Sequence, residues 1–172
     1  LELNELYKRT MSLFGIDDAG EFGGALMACA FGHNEQLMNE FVELVGGDLS
    51  KDWLQMIFQY YQADRKEKKQ DYTPRNLGVF LSRLVGDSSE TIDMCAGSGA
   101  LTIQRWMECP DTVFRLYEID ENVVPYLLFN LCVRNIPAEV YQGDVLQASV
   151  EKQYIVRKGD RFGYVSCVES TV

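Results

Sequence analysis

Histidine and proline are scarce in this 172-residue chain, with one and four copies respectively. His33 has no partner at the spacing of a hydrolytic triad or a metal-ligand set, so a structural or surface role is expected for it. Pro74, Pro110, Pro125 and Pro137 stand apart, with no Pro-Pro pair and no proline after Asp144. The five cysteines (Cys29, Cys95, Cys109, Cys132, Cys167) are odd in number and scattered, and none has CxxC spacing. Neither a metal knuckle nor a disulfide framework is indicated, and buried thiols in a reducing cytosol are the expectation. No run approaches about 18 consecutive apolar residues, so no transmembrane helix is expected. The opening Leu1-Glu2-Leu3-Asn4-Glu5 is mixed, unlike a basic-then-apolar leader. Positive charge is also short: 16 Lys+Arg against 26 Asp+Glu give a formal net charge of −10. That balance excludes binding to nucleic acid through bulk positive charge.

What remains is an ordinary globular composition, 47% hydrophobic and 24% charged, long enough for one core with a helical extension. Residues 1–69 read as helices. Leu3, Leu6, Tyr7, Met11, Leu13 and Phe14 recur near helical spacing up to Gly15. A single long helix is expected from about Gly24 to Val45, stopped by Gly46-Gly47. Asp48 and Ser50 offer capping oxygens for a third helix, which carries Trp53, Leu54, Ile57, Phe58, Tyr60 and Tyr61. Trp53 and the tyrosines are expected in helix packing rather than base stacking. The run Asp64-Arg65-Lys66-Glu67-Lys68-Lys69 holds four of the 16 basic residues. It reads as a solvated helix end, with a phosphate-facing patch as the alternative.

From residue 70 to 172 the grammar changes. Pro74 opens a helix whose apolar face is Leu77, Phe80, Leu81, Leu84 and Val85. Thr91–Cys95, Val113–Ile119 and Ala138–Tyr141 read as strands, and Ala100–Met107 and Glu121–Arg134 as the helices between them. Such alternation predicts an α/β fold with a parallel, doubly wound sheet and right-handed crossovers. The tail differs: residues 154–157 and 162–166 flank Lys158-Gly159-Asp160-Arg161 as a hairpin.

Three strand ends carry acidic residues, and each has a bland reading. In Asp93-Met94-Cys95-Ala96-Gly97-Ser98-Gly99, the glycines let the backbone approach a nucleotide-like ligand closely. No third glycine completes a dinucleotide fingerprint. Asp93 would repel a pyrophosphate and suit a ligand bearing an ammonium or sulfonium cation. The bland reading is a tight turn closing a βα unit. Gly97-Ser98-Gly99 is not a nucleophile elbow, because Ala96 and Ala100 stand where that motif needs glycines. In Tyr117-Glu118-Ile119-Asp120, Glu118 suits both hydroxyls of a ribose, while Asp120 suits a helix cap. In Gln142-Gly143-Asp144-Val145-Leu146, Asp144 reads as an acceptor for an exocyclic amine of adenine or as a turn aspartate.

Asp-x-x-x-Gly-Ser-Gly, Tyr-Glu-Ile-Asp and Gly-Asp-Val-Leu together resemble the S-adenosyl-L-methionine (AdoMet) region of class I methyltransferases, a Rossmann-like fold. Gln70-Asp71-Tyr72-Thr73-Pro74 resembles the [F/Y]-T-P motif of adenine-specific DNA methyltransferases. The whole is most similar to modification subunits of type I restriction systems, whose helical N-terminal region precedes the cofactor domain. The likeness spans residues 70–146. It implies that Tyr72, Thr73 and Pro74 line the methionine end. Asp93 would hold the cofactor's amino group, with Gly97 and Gly99 giving backbone access. Glu118 would take the ribose with Ile119 against the adenine, and Asp144 the adenine amine with Val145 on the ring. The implied activity is methyl transfer to the exocyclic amine of adenine in DNA, in the cytoplasm, without a metal. A specificity subunit or a second copy is the implied protein partner. The family's Asn-Pro-Pro-[Tyr/Phe] motif, which grips the flipped base, has no counterpart in these 172 residues. The expected sheet is accordingly incomplete, and a catalytically inactive AdoMet-binding or assembly module is the alternative.

Overall fold

A computed structural model describes residues 2–61, 75–86 and 88–168. Helix α1 (Leu3–Phe14) buries Leu6, Tyr7, Thr10 and Met11 and ends at Gly15, whose left-handed φ of 64° lets its amide reach Met11 and Ser12 carbonyls. The single helix expected from Gly24 to Val45 is instead two, α2 (Phe22–Phe31) and α3 (Glu35–Leu44). Between them His33 takes φ 46°, and the Asn34 side chain accepts from the Leu37 amide at 3.1 Å. A glycine followed by a capping asparagine overrides an apolar pattern that runs through the break. The His33 ring stacks on Tyr164 at 3.7 Å, and Nε2 lies 2.9 Å from Glu35 Oε1. The stop after α3 forms as expected, with the Gly47 amide donating to Val42 O at 2.8 Å.

Helix α4 (Trp53–Tyr61) is capped by neither Asp48 nor Ser50. Asp52 Oδ1 accepts from the Gln55 amide at 2.9 Å and is the cap. Asp48 holds its own turn, accepting from Ser50 Oγ (2.6 Å) and the Ser50 amide (3.1 Å) and pairing with Lys51 Nζ at 2.9 Å. The Ser50 hydroxyl, then Lys51, lower this carboxyl from 3.8 to about 2. An NMR pH titration is therefore expected to place its midpoint near 2. A folded value below the unfolded one means the contribution is present above pH 3.8 and is lost as pH falls through about 2. A midpoint at the ordinary value would contradict this hydrogen bonding. Trp53 packs as expected, donating Nε1–H to Asp48 O.

Helix α5 (Arg75–Val85) departs from its sequence pattern. The face of Leu77, Phe80, Leu81, Leu84 and Val85 is outward, with Phe80 60% and Leu84 70% exposed. Gly78 and Ser82 face inward instead. A Cβ at Gly78 would press on Gln104 and Leu101 of the next helix, so the missing side chain permits close packing there.

The sheet contains β1 (Glu90–Asp93), β2 (Val113–Glu118), β3 (Ala138–Gln142), β4 (Lys152–Arg157) and β5 (Tyr164–Val168), in the spatial order β1-β2-β3-β4-β5. Helix α6 (Ala100–Glu108) joins β1 to β2, and α7 (Val124–Arg134) joins β2 to β3. β1, β2 and β3 are parallel; β4 and β5 are antiparallel, so the sheet is mixed rather than wholly parallel. Residues 143–151 contain no helix to make a parallel crossover, so β4 returns alongside β3. The expected tail hairpin is β4–β5. Glycine is required at its turn, because a Cβ at Gly159 would overlap Phe162 O.

Every residue of α7 is buried. It sits between the helical segment and the sheet, and one apolar cluster runs from Leu26, Met38, Phe41 and Leu54 through Phe129 to Phe114 and Leu116. Among the cysteines, Cys29 and Cys132 fit the buried-thiol expectation, and burial pushes them to about 11 and about 12. Cys95 and Cys167 do not, being exposed. Among the described residues, no helix is long and apolar enough to cross a membrane.

Candidate functional site

Parallel pairing of β1, β2 and β3 brings their carboxyl ends to one edge, where the loops 94–99, 119–123 and 143–151 emerge side by side. Main-chain bonds join them: Ala96 N–H donates to Tyr117 O (2.9 Å), and Gly143 N–H to Glu118 O (3.0 Å). This is the edge at which open α/β sheets bind ligands.

The glycine loop holds two left-handed residues, Gly97 (φ 57°) and Gly99 (φ 94°). A Cβ on Gly99 would lie 2.9 Å from Leu127 Cδ1, so this glycine serves close packing on α7. Nothing lies within 4 Å of the corresponding point on Gly97, which leaves open space above the loop. Glu118, only 8% exposed, accepts from the Gly97 amide through Oε2 (2.7 Å) and from the Asp120 amide through Oε1 (2.8 Å). Both oxygens are engaged, yet a carboxylate has about four lone-pair sites, so acceptor capacity remains. Ile119 beside it is 65% exposed.

Asp93 is close to the loop but not bonded to its glycines. Its Oδ1 accepts from the Cys95 amide at 3.0 Å. Burial raises its carboxyl above the ordinary value, opposed by that amide. It lines a cavity of about 210 Å³ with Gly78, Met94, Thr102 and Arg105. Asp144 is engaged in its own turn: Oδ1 accepts from the Leu146 and Gln147 amides, and Oδ2 from Gln147 Nε2. That is the turn-aspartate role, at a position facing the same edge. Val145 is partly buried beside it. Asp120 Oδ1 accepts from the Asn122 amide at 3.0 Å and closes its own turn. It is not the helix cap expected of it, because α7 starts at Val124 with Val123 at its N-cap and no side-chain cap bond. Tyr72, Thr73 and Pro74, with the run from Asp64 to Lys69, lie outside the described residues.

Gly143 has a steric requirement, since a Cβ there would overlap the carbonyl oxygen of Ser149. Gly143→Ala is expected to destabilise the chain by about 1–3 kcal/mol, the usual range for overpacking. Urea unfolding checks this, and a wild-type midpoint would contradict the described course of residues 143–151.

One polar network was not anticipated from the sequence. Ser98 Oγ–H donates to Asp52 Oδ2 (2.6 Å), and Asn130 Nδ2 donates to Asp52 Oδ1 (2.9 Å) and to Ser98 O (2.9 Å). Arg134 donates to Asn130 Oδ1 (2.8 Å), Leu49 O (2.9 Å) and Lys51 O (2.7 Å). Asn130 and Arg134, four residues apart in an otherwise apolar helix, were the available signal. Among the described residues, no group of three or more His, Cys, Asp or Glu side chains is placed to hold a metal.

Compared with protein-family models, curated proteins and solved structures, the chain gives no match to any of them. The fold and edge define an α/β protein with a five-stranded mixed sheet, compatible with a Rossmann-like arrangement.

Proposed function

We propose that this chain binds AdoMet at the carboxyl edge of β1–β3, as the cofactor-binding region of an adenine-specific DNA methyltransferase of the restriction-modification type. The observation that carries the reading is the Glu118–Gly97 contact: a buried carboxylate at the end of β2 meets the glycine loop at 2.7 Å. A ligand over Gly97 would thus meet backbone on one side and acceptors for ribose hydroxyls on the other. Exposed Ile119 supplies an apolar surface for an adenine. Asp93 is the acidic group for the amino end, and Asp144 with Val145 stands at the third loop for the base edge. The acidity of this edge suits a cationic cofactor and opposes a nucleoside polyphosphate.

AdoMet, when bound, supplies an electrophilic methyl group on sulfonium sulfur. The chain's own contribution is to bind and orient that group, the main source of acceleration in a transfer of this kind. The acceptor, adenine in DNA, rests on the likeness of Tyr72-Thr73-Pro74 to the [F/Y]-T-P motif. The class I methyltransferase fold rests on the likeness of the three strand-end motifs, and the cytoplasmic setting on the thiol pattern. With a net charge of −10, DNA contact would come from a specificity subunit or another partner supplying positive charge.

A thermal melt tests the cofactor reading. At a hundredfold excess over its dissociation constant, AdoMet should stabilise the chain by about 2.7 kcal/mol, while ATP should not shift the melt. No shift at millimolar AdoMet would sink the assignment.

A further inference from the structure

Ser98 stands between the two left-handed glycines, and its side chain does not face the ligand edge. It is 6% exposed and directed at Asp52, 46 residues earlier in the chain. We infer that Asp52 is a positioning residue for the glycine loop, setting from beneath the shape in which the loop meets its ligand. The inference rests on the AdoMet reading for the identity of that ligand.

Around Gly97 and Ser98 the loop is held by three side chains, beside the bonds of the Ala96 amide to Tyr117 O and of the Cys95 amide to Asp93. Glu118 holds the Gly97 amide, Asp52 the Ser98 hydroxyl, and Asn130 the Ser98 carbonyl. Two of the three holds lead to Asp52, because Asn130 uses its other amide hydrogen on Asp52 Oδ1. Asn130 is itself fixed by Arg134, which also grips the carbonyls of Leu49 and Lys51 just ahead of Asp52. The arrangement is therefore closed: the turn entering α4, the middle of α7 and the glycine loop share one set of bonds. Asp52, Ser98, Asn130 and Arg134 are all at least nine-tenths buried, so water does not substitute readily for a lost partner. A helix cap needs only the bond from Oδ1 to the Gln55 amide. The second oxygen, committed to Ser98 at 2.6 Å, is in excess of capping and has a charge-assisted geometry. Glycines at 97 and 99 leave the loop backbone otherwise permissive, which is why an outside anchor matters.

The experiment separates loop positioning from general stability. Asp52→Ser keeps a capping oxygen for Gln55 and is too short to reach Ser98. In the ligand-free protein, hydrogen exchange at the Gly97 and Gly99 amides is expected to rise about tenfold, with Val140 in β3 unchanged. AdoMet affinity is expected to fall about tenfold. Asp52→Asn, which retains two polar atoms at the same reach, should recover most of both. Ser98→Ala removes the same bond from the loop side and should reproduce the exchange change, so a misfolded Asp52→Ser leaves the question decidable. Wild-type exchange at Gly97 and Gly99 in a folded variant overturns the positioning role. So does acceleration that appears equally at Val140. Failure of the wild-type chain to bind AdoMet overturns the cofactor assignment instead, and the exchange measurement is independent of it.

Discussion

Phe129→Ala is expected to lower the unfolding free energy by about 3–5 kcal/mol, the range for truncating a fully buried phenylalanine. Phe129 is 0% exposed at the centre of α7. Its ring meets Phe41 of α3 edge-on at 5.2 Å and Phe14 of α1 at 5.6 Å. Both neighbours come from the helical segment, while α7 itself lies in the crossover between β2 and β3. The cavity would open where the two parts share their core, and aromatic geometry would be lost with the buried area. A total stability of about 5–15 kcal/mol is typical of domains this size, so the variant should be close to unfolding. Urea denaturation measures it directly, with Phe80→Ser as the control. Phe80 is 60% exposed on α5, and its loss should change stability by about 0.5 kcal/mol or less. A loss below about 1 kcal/mol in Phe129→Ala would show that the helical segment does not share its core with the sheet.

Glu118→Ala should act on both fold and ligand. The Gly97 and Asp120 amides would each lose their acceptor at a site that is only 8% exposed. A stranded buried donor costs about 1–3 kcal/mol. Partial access of water to the edge places the combined loss at about 2–3 kcal/mol. AdoMet affinity should fall by more than the tenfold or so expected from one ribose contact, because the Gly97 backbone would be released as well. Glu118→Gln keeps one acceptor oxygen and should fall between the wild type and alanine. Calorimetry with AdoMet, paired with a melt of the free protein, separates the two effects. Lost stability with unchanged affinity would assign Glu118 to holding the loop alone.

Glu118 shows how much of the site is legible in sequence. The motifs located the three strand ends, and β1, β2 and β3 do run parallel and deliver them to one edge. What the residues do there was less legible. Glu118 was read as a ribose acceptor and is also the clamp on Gly97. Asp144 was read as an adenine acceptor or turn aspartate, and its bonds are those of the turn. Ser98 lies outside any nucleophile-elbow pattern, and its local sequence carries no sign of its bond to Asp52. No local pattern links residues 46 positions apart.

Much of the chain answers to local physics. Glycines that stop helices at 15 and 46–47, the alternation that yields β1-α6-β2-α7-β3, and the hairpin turn at 158–161 all follow from backbone freedom and near-neighbour periodicity. Gly32 and Asn34 carried such a signal too, and it outweighed the apolar pattern spanning the break. Burial and partnership do not follow in this way. The apolar stripe of α5 reads as a core face, yet the helix packs through Gly78, because what a stripe covers depends on which surface the fold sets against it. β4 turns back along β3 because no helix intervenes in 143–151. The anchoring of the glycine loop by Asp52, Asn130 and Arg134 exists only once α4 and α7 are packed together. Periodicity is a property of neighbours along the chain, whereas a buried hydrogen bond is a property of groups that folding alone brings within 3 Å.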